Sequence, residues 1–245
     1  MTKEEFNNKK KLYHYTTFES GLKILISQKL LFGKLKDMND INESYRNIFY
    51  GQGISEDDIK KELFKYRQCS LTMDDSPRNG YYIPAMWGHY AERGNGICLV
   101  FDEKKLLSNL PSNVYGEKIA YNDSNNHSIV VDKDIEKFFE ENKEPLFFTK
   151  TNDWEYEQEY RILTKVEENA PTYLNLNDSI MAVILYSARD VDWGESIWSS
   201  LNYEILHKME PNLSILGMGY WFEDICLQDS SGKSWLNSEP MKLDI

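Results

Sequence analysis

The sequence predicts an α+β fold in one domain, residues 1–245, and three observations carry that prediction. Helical stretches and short strands mix along the chain without the regular alternation that builds a doubly wound parallel sheet. Two near-continuous apolar runs, GICLVFD at 96–102 and SIMAVILYS at 179–187, read as strands buried on both faces. No repeat, low-complexity linker or sharp shift in composition marks a boundary. Residues 178–245 are therefore expected to pack as a C-terminal extension on the same sheet as a motif-bearing core at 12–165.

The elements follow in order. MTKEEFNNKKK is polar and lacks the apolar run of a signal peptide. KLYHYTT reads as a short strand entering a helix, with Thr16 as cap and Glu19 at capping-box spacing. Phe18, Leu22, Leu25 and Ile26 stand at i, i+4, i+7 and i+8, which predicts one buried helical face. KLLFGKL supplies a second short strand, and DMNDINESYR a polar turn into another helix. A helix over 55–67 is predicted from Ile59, Leu63 and Phe64 on one side.

CSLTM at 69–73 is strand-like and runs into the polar loop DDSPRNG. IPAMWGHYAERGNG leads into the first apolar run. After KIAYND, an acidic helix around 132–143 buries Ile135, Phe138 and Phe139. A carboxylate-rich stretch at 154–163 comes next, then a loop through 169–171. The second apolar run is followed by a helix over 195–209, with Ile197, Trp198, Leu201, Ile205 and Leu206 inward. The strand NLSILGMGY completes the order.

Composition narrows the function classes. A chain of 245 residues with 13% aromatic content can bury a substantial core. The net charge of −12 argues against a basic surface that tracks a phosphate backbone. Cys69, Cys98 and Cys226 are odd in number and lack metal spacing, and the apolar flanks of Cys98 and Cys226 read as core thiols. Nowhere do eighteen apolar residues run together, so no membrane span is expected. The expectation is a soluble, reduced, cytoplasmic protein.

WEYEQEYRIL, residues 154–163, holds the densest chemistry. Read as one strand, it places Glu155, Glu157, Glu159 and Arg161 on one side and Trp154, Tyr156, Tyr160 and Ile162 on the other. Same-side neighbours are then roughly 7 Å apart, close enough for like charges to raise one another's pKa. Two carboxylates at that spacing suit a reaction in which positive charge develops on a sugar carbon. One holds a ribose hydroxyl and stabilises the cation, while the other orients the nucleophile. The competing reading is a solvated acidic face beside Arg161. Lys150 has the charge to contact phosphate, but a lone lysine is usually a solvated surface residue.

Two aromatic segments accompany it. His14 lies between Tyr13 and Tyr15 at a strand end just before a helix, a place suited to ligand binding and equally to a core histidine. In MWGHYAERGNG, Trp87 and Tyr90 offer flat faces for a planar ring, with core packing the plainer reading of Trp87. There is no G-x-S-x-G, Walker-type loop, H-E-x-x-H or C-x-x-C. The four histidines (14, 89, 127 and 207) are scattered. No metal site is required, although Asp40 and Glu43 with the later glutamates would supply one for a metal-dependent nuclease or hydrolase.

Tyr13 to Thr16, Asn39-Asp40 with Glu43, Met86-Trp87 with Tyr90-Ala91, Gly96 with Phe101, and Trp154 with Glu157, Glu159, Tyr160 and Arg161 form an ordered series. The series resembles a family of uncharacterised bacterial and phage domains. That family in turn is distantly similar to ADP-ribosyltransferases of the His–Tyr–Glu type, which bind NAD on a split, twisted β-sheet. The resemblance implies such a sheet here, with NAD as substrate. It puts His14, with Tyr15 and Thr16 of its motif, on the adenosine-side ribose, and Tyr90 on nicotinamide with Trp87 or Tyr15 as alternatives. Glu159 would stabilise the transition state, Glu157 position the acceptor, and Arg161 hold the carboxylates or a phosphate.

The expected activity is cleavage of the nicotinamide–ribose bond, with transfer to an unknown macromolecule, a protein more readily than duplex nucleic acid, or to water. Bacterial stress or phage defence is the implied setting. The alternative is a non-catalytic sensor or partner-binding module of a defence system, in which the carboxylates meet a partner's basic patch and His14 is structural.

Overall fold

Ile97–Asp102 is buried at every position, as expected of a strand with a paired neighbour on each side. The computed structural model that shows this describes residues 2–38, 48–50, 54–76, 78–108, 110–122, 129–131, 134–167, 170–186, 197, 200–221 and 224–231. Its strands are β1 (Lys11–Thr16), β2 (Lys29–Leu31), β3 (Gly33–Lys34), β4 (Ile48–Tyr50), β5 (Tyr66–Met73), β6 (Ile97–Asp102), β7 (Val114–Lys118) and β8 (Ala120–Tyr121). They continue with β9 (Ile129–Val131), β10 (Thr149–Lys150), β11 (Glu159–Lys165), β12 (Tyr173–Asn175), β13 (Ile180–Tyr186), β14 (Ser214–Trp221) and β15 (Asp224–Gln228). The helices used below are α1 (Lys3–Asn8), α2 (Phe18–Ser27), α3 (Glu56–Leu63), α4 (Pro84–Tyr90), α5 (Glu103–Ser108), α6 (Ile135–Glu141), α7 (Lys143–Phe147) and α8 (Leu201–Met209). The class is α+β, with mixed sheet and flanking helices.

The chain divides into two compact units, each assembled from separate stretches of sequence. The first unit contains Met1–Gln28, Met73–Asn109 and Leu176–Ile245. Its strands run in the order β15-β14-β13-β6-β1, with β13 and β14 parallel and the other pairs antiparallel. Both apolar runs therefore become neighbouring inner strands, as their composition demands. Helix α2 lies against β6 at Gly21, where an added Cβ would stand 2.6 Å from Ile97 Cγ1.

The second unit contains Lys29–Thr72 and Leu110–Asn175. Antiparallel pairing joins β3, β5, β11 and β7, and three small pairs (β2 with β12, β4 with β9, β8 with β10) surround them. Tyr66, Phe139, Phe147 and Leu163 form the centre of an apolar cluster that also takes in Ile59 and Leu63 of α3. The Tyr66 ring stacks on Phe139 at 5.8 Å and lies 4.5 Å from Phe147. The partly buried Phe138 and Ile135 pack on this cluster, so the expected apolar side of the acidic helix is present.

Several boundaries differ from the sequence reading. Thr16 is still paired with Ile97, so the cap of α2 falls one residue later, on Thr17, whose hydroxyl accepts the Ser20 N–H at 3.1 Å. The buried face is accordingly Gly21, Ile24 and Leu25, while Ile26 is 65% exposed. Helix α3 ends before Phe64, which is 39% exposed. Helix α8 begins at Leu201 behind the Ser200 cap, and Leu201 faces out while Leu206 is buried. The polar amino end forms the short helix α1, closed by a Thr2–Glu5 capping box. The 39–43 motif, His127 and Trp198 lie outside the described residues. Among those described, no helix is long and apolar enough to cross a membrane.

Candidate functional site: a buried charge cluster

The stretch at 154–163 is not one strand. Asn152–Glu157 winds into a 3-10 turn, Gln158 takes a left-handed conformation (φ 47°, ψ 48°), and only then does β11 begin at Glu159. The Trp154 N–H donates to the Thr151 carbonyl and the Gln158 N–H to the Glu155 carbonyl, each at 3.1 Å. Asn and Asp favour such turns through their short polar side chains, and Asn152-Asp153 opens this one. A period of three replaces the period of two. Trp154 and Glu157 therefore share the inward side, and Asp153 and Glu155 remain exposed. The carboxylate row expected from alternation is broken by that change of period.

What replaces the row is a closed ionic cluster. Pairing of β10 with β8 sets Lys150 beside Tyr121. The Lys150 Nζ stands 2.7 Å from Glu157 Oε2 and 2.8 Å from Glu159 Oε2. Arg161 grips Glu159 from the other side, Nε to Oε1 at 2.8 Å and one Nη to Oε2 at 2.9 Å. Its remaining Nη donates to the Phe147 carbonyl at 2.5 Å. The Trp154 ring lies 5.2 Å from Lys150 Nζ, and the Tyr121 hydroxyl accepts the Glu159 N–H at 2.8 Å.

All four charged residues are buried: Arg161 is 1% exposed, Glu159 3%, Glu157 4% and Lys150 4%. Two cations and two anions sum to zero, which is how ions can be taken out of water at tolerable cost. Burial alone would push the Glu159 carboxyl up, but Arg161 and Lys150 outweigh it and hold the group at about 2. Burial also pushes the Tyr121 phenol up. Glu159 is thus an anion at neutral pH, with both oxygens engaged.

The other sequence-derived candidates are in the first unit. Tyr13 and Tyr15 project from one side of β1, His14 and Thr16 from the other. The Tyr13 hydroxyl donates to Asp74 Oδ1 at 2.9 Å and the Tyr15 hydroxyl to the Gly80 carbonyl at 2.6 Å. Tyr15 meets Trp87 edge-on at 5.1 Å, and Trp87 stacks on Tyr186 at 5.2 Å. Trp87 Nε1 also donates to the Tyr81 carbonyl at 2.9 Å, which makes Trp87 and Tyr15 core residues that pin the 74–83 loop. His14, Thr16 and Tyr90 are half-buried and His89 is exposed.

An added Cβ at Gly80 would meet the Met73 carbonyl and stand 2.6 Å from Tyr13 Cδ2. Gly80→Ala is therefore expected to cost about 1–3 kcal/mol in denaturant unfolding by overpacking.

The structure thus joins Glu157, Glu159 and Arg161 in one cluster, and Tyr15 with Trp87 in one core. Sequence reasoning named Lys150 only as a solvated surface lysine with the charge to contact phosphate, and missed Tyr121. The signal for Lys150 was its place directly after the apolar PLFFT and seven residues before Glu157, since a lysine ending a buried run needs an internal anion. Cys69 and Cys98 are buried with their thiols pushed up by burial, which leaves them poor nucleophiles. Among the described residues, no group of three His, Cys, Asp or Glu could hold a metal ion.

Fold and cluster together define an α+β protein whose charged motif is internal. Residues 86–162 match the model of a family described as a protein of unknown function (DUF2971). That stretch includes the Met86-Trp87 segment and the E-x-E residues, while Tyr13 to Thr16 and the 39–43 motif lie outside it. No curated protein and no solved structure matches the chain.

Proposed function

We propose that the protein is a non-catalytic partner-binding module, of the defence-system kind implied by the motif resemblance. One observation carries the reading: both carboxylates of the E-x-E pair are held by internal cations, Glu157 by Lys150 and Glu159 by Lys150 and Arg161, and are all but removed from the surface. What the same turn presents outward is Asp153 and Glu155, beside the half-buried Tyr156, whose ring lies 6.1 Å from that of the inward Trp154. Exposed carboxylates beside aromatic faces, on a chain of net charge −12, suit a partner with a basic surface.

A second reading is NAD cleavage, as an ADP-ribosyltransferase or a glycohydrolase on a transferase-like split sheet. It is favoured by the convergence of Glu157 and Glu159 on a single Nζ, because a point reached by two carboxylates could also take a ribose hydroxyl. In that reading Glu159 stabilises the oxocarbenium-like transition state, Glu157 positions the acceptor and Arg161 holds the pair. Nicotinamide release from NAD separates the readings. The purified protein is expected to release none, with or without cell lysate. Release that disappears in Glu159→Gln would overturn the binding-module reading in favour of the transferase.

A further inference from the structure

We propose that the segment 152–158 is a two-position element, latched as a turn by Lys150 and able to extend β11 when the latch opens. The proposal stands apart from both functional readings, since its test measures neither binding nor turnover. Four observations support it. The segment has the alternating pattern of a strand, WEYEQEY, yet winds as a 3-10 turn. Its last joint is Gln158, a non-glycine residue in the left-handed region, and the amide Oε1 of Gln158 is buried without a hydrogen-bond partner. The first β11 amide, that of Glu159, donates to a side chain, the Tyr121 hydroxyl. The Lys150 contact with Glu157 ties the end of the turn to β10.

Among the described residues, β8 has no strand partner besides β10, which leaves a place for the extended form. Tyr160 pairs with Lys118 and Thr164 with Val114, so the same register continued backward sets Gln158 against Ala120 and Glu157 against Tyr121. Strand β10 occupies only one edge of β8, because the Ala120 and Asn122 N–H groups donate to the Phe148 and Lys150 carbonyls. Backbone groups alternate between edges, so those of Tyr121 face the opposite one. Residues 151–156 can span about 20 Å when extended, whereas crossing from one edge of β8 to the other requires about 10 Å.

In the extended position Glu155, Glu157 and Glu159 would line one side of the strand. The turn therefore keeps the buried Glu157 apart from the exposed Glu155, whereas the strand would align both with Glu159. A ligand can favour the strand only by offering those carboxylates cations in place of Lys150.

Hydrogen exchange read residue by residue tests this in the whole chain, comparing the native protein with Gln158→Val and Gln158→Gly. A β-branched residue disfavours the left-handed joint and glycine accepts it. The valine variant should exchange its residue-154 and residue-158 amides at least tenfold faster and its Tyr121 amide slower, with amides 161–164 unchanged. The glycine variant should slow the turn amides. Equal acceleration across 152–164, or a Tyr121 amide no slower in the valine variant, would overturn the proposal. Should the valine variant fail to fold, unslowed turn amides in the glycine variant would do the same.

Discussion

Lys150→Met is expected to destabilise the protein by about 3–5 kcal/mol in urea unfolding at neutral pH, the usual cost of removing one partner from a buried ion pair. The methylene stem keeps its packing in the methionine variant, so the loss reports the charge. Glu157 and Glu159 would then share a buried space that holds one cation fewer, Arg161 alone. A solvated surface lysine would change stability by no more than about 1 kcal/mol. A result that small would show that the cluster does not hold the fold. The double variant Lys150→Met with Glu157→Leu is expected to recover a large part of the loss, because it removes an opposite charge with the first.

The second large effect is in acid. Glu159 ordinarily titrates near 4.5 and is held at about 2 in the folded chain. A folded value below the unfolded one means that ionised Glu159 contributes stability in full above about pH 4.5. That contribution declines as the pH falls from about 4.5 and is lost through about 2. The native protein should therefore lose stability steeply over that window. Glu159→Gln, with no proton to take up, should be much less stable near pH 7 and nearly equal to the native protein at pH 2. A constant difference between the two proteins from pH 7 to pH 2 would mean that the anion makes no such contribution.

How much of this was legible differs by element. The inner strands were readable because their composition forces one outcome: GICLVFD and SIMAVILYS contain almost nothing that tolerates water. Helix α3 was readable to within a few residues from Ile59 and Leu63, but Phe64 shows that periodicity does not say where a helix stops. Alternation failed at 154–158, where Glu157 had a tertiary partner, Lys150, placed by a strand pair with β8. No local pattern encodes that pairing, so Glu157, Glu159 and Arg161 were singled out on a strand geometry that the turn replaces. Tyr15 was expected beside a cofactor, and its hydroxyl donates to the Gly80 carbonyl of the chain itself, as that of its neighbour Tyr13 donates to Asp74.

The zero net charge of the Lys150, Glu157, Glu159 and Arg161 cluster has a consequence for descent. A change at one of the four positions exposes the other three to an unbalanced field, so tolerated changes must come in compensating pairs. Lineages that share this cluster should either retain all four residues or have exchanged a cation and an anion together for apolar side chains. The cluster would then be inherited as one character, with positions 150, 157, 159 and 161 covarying across the interval of sequence that separates them.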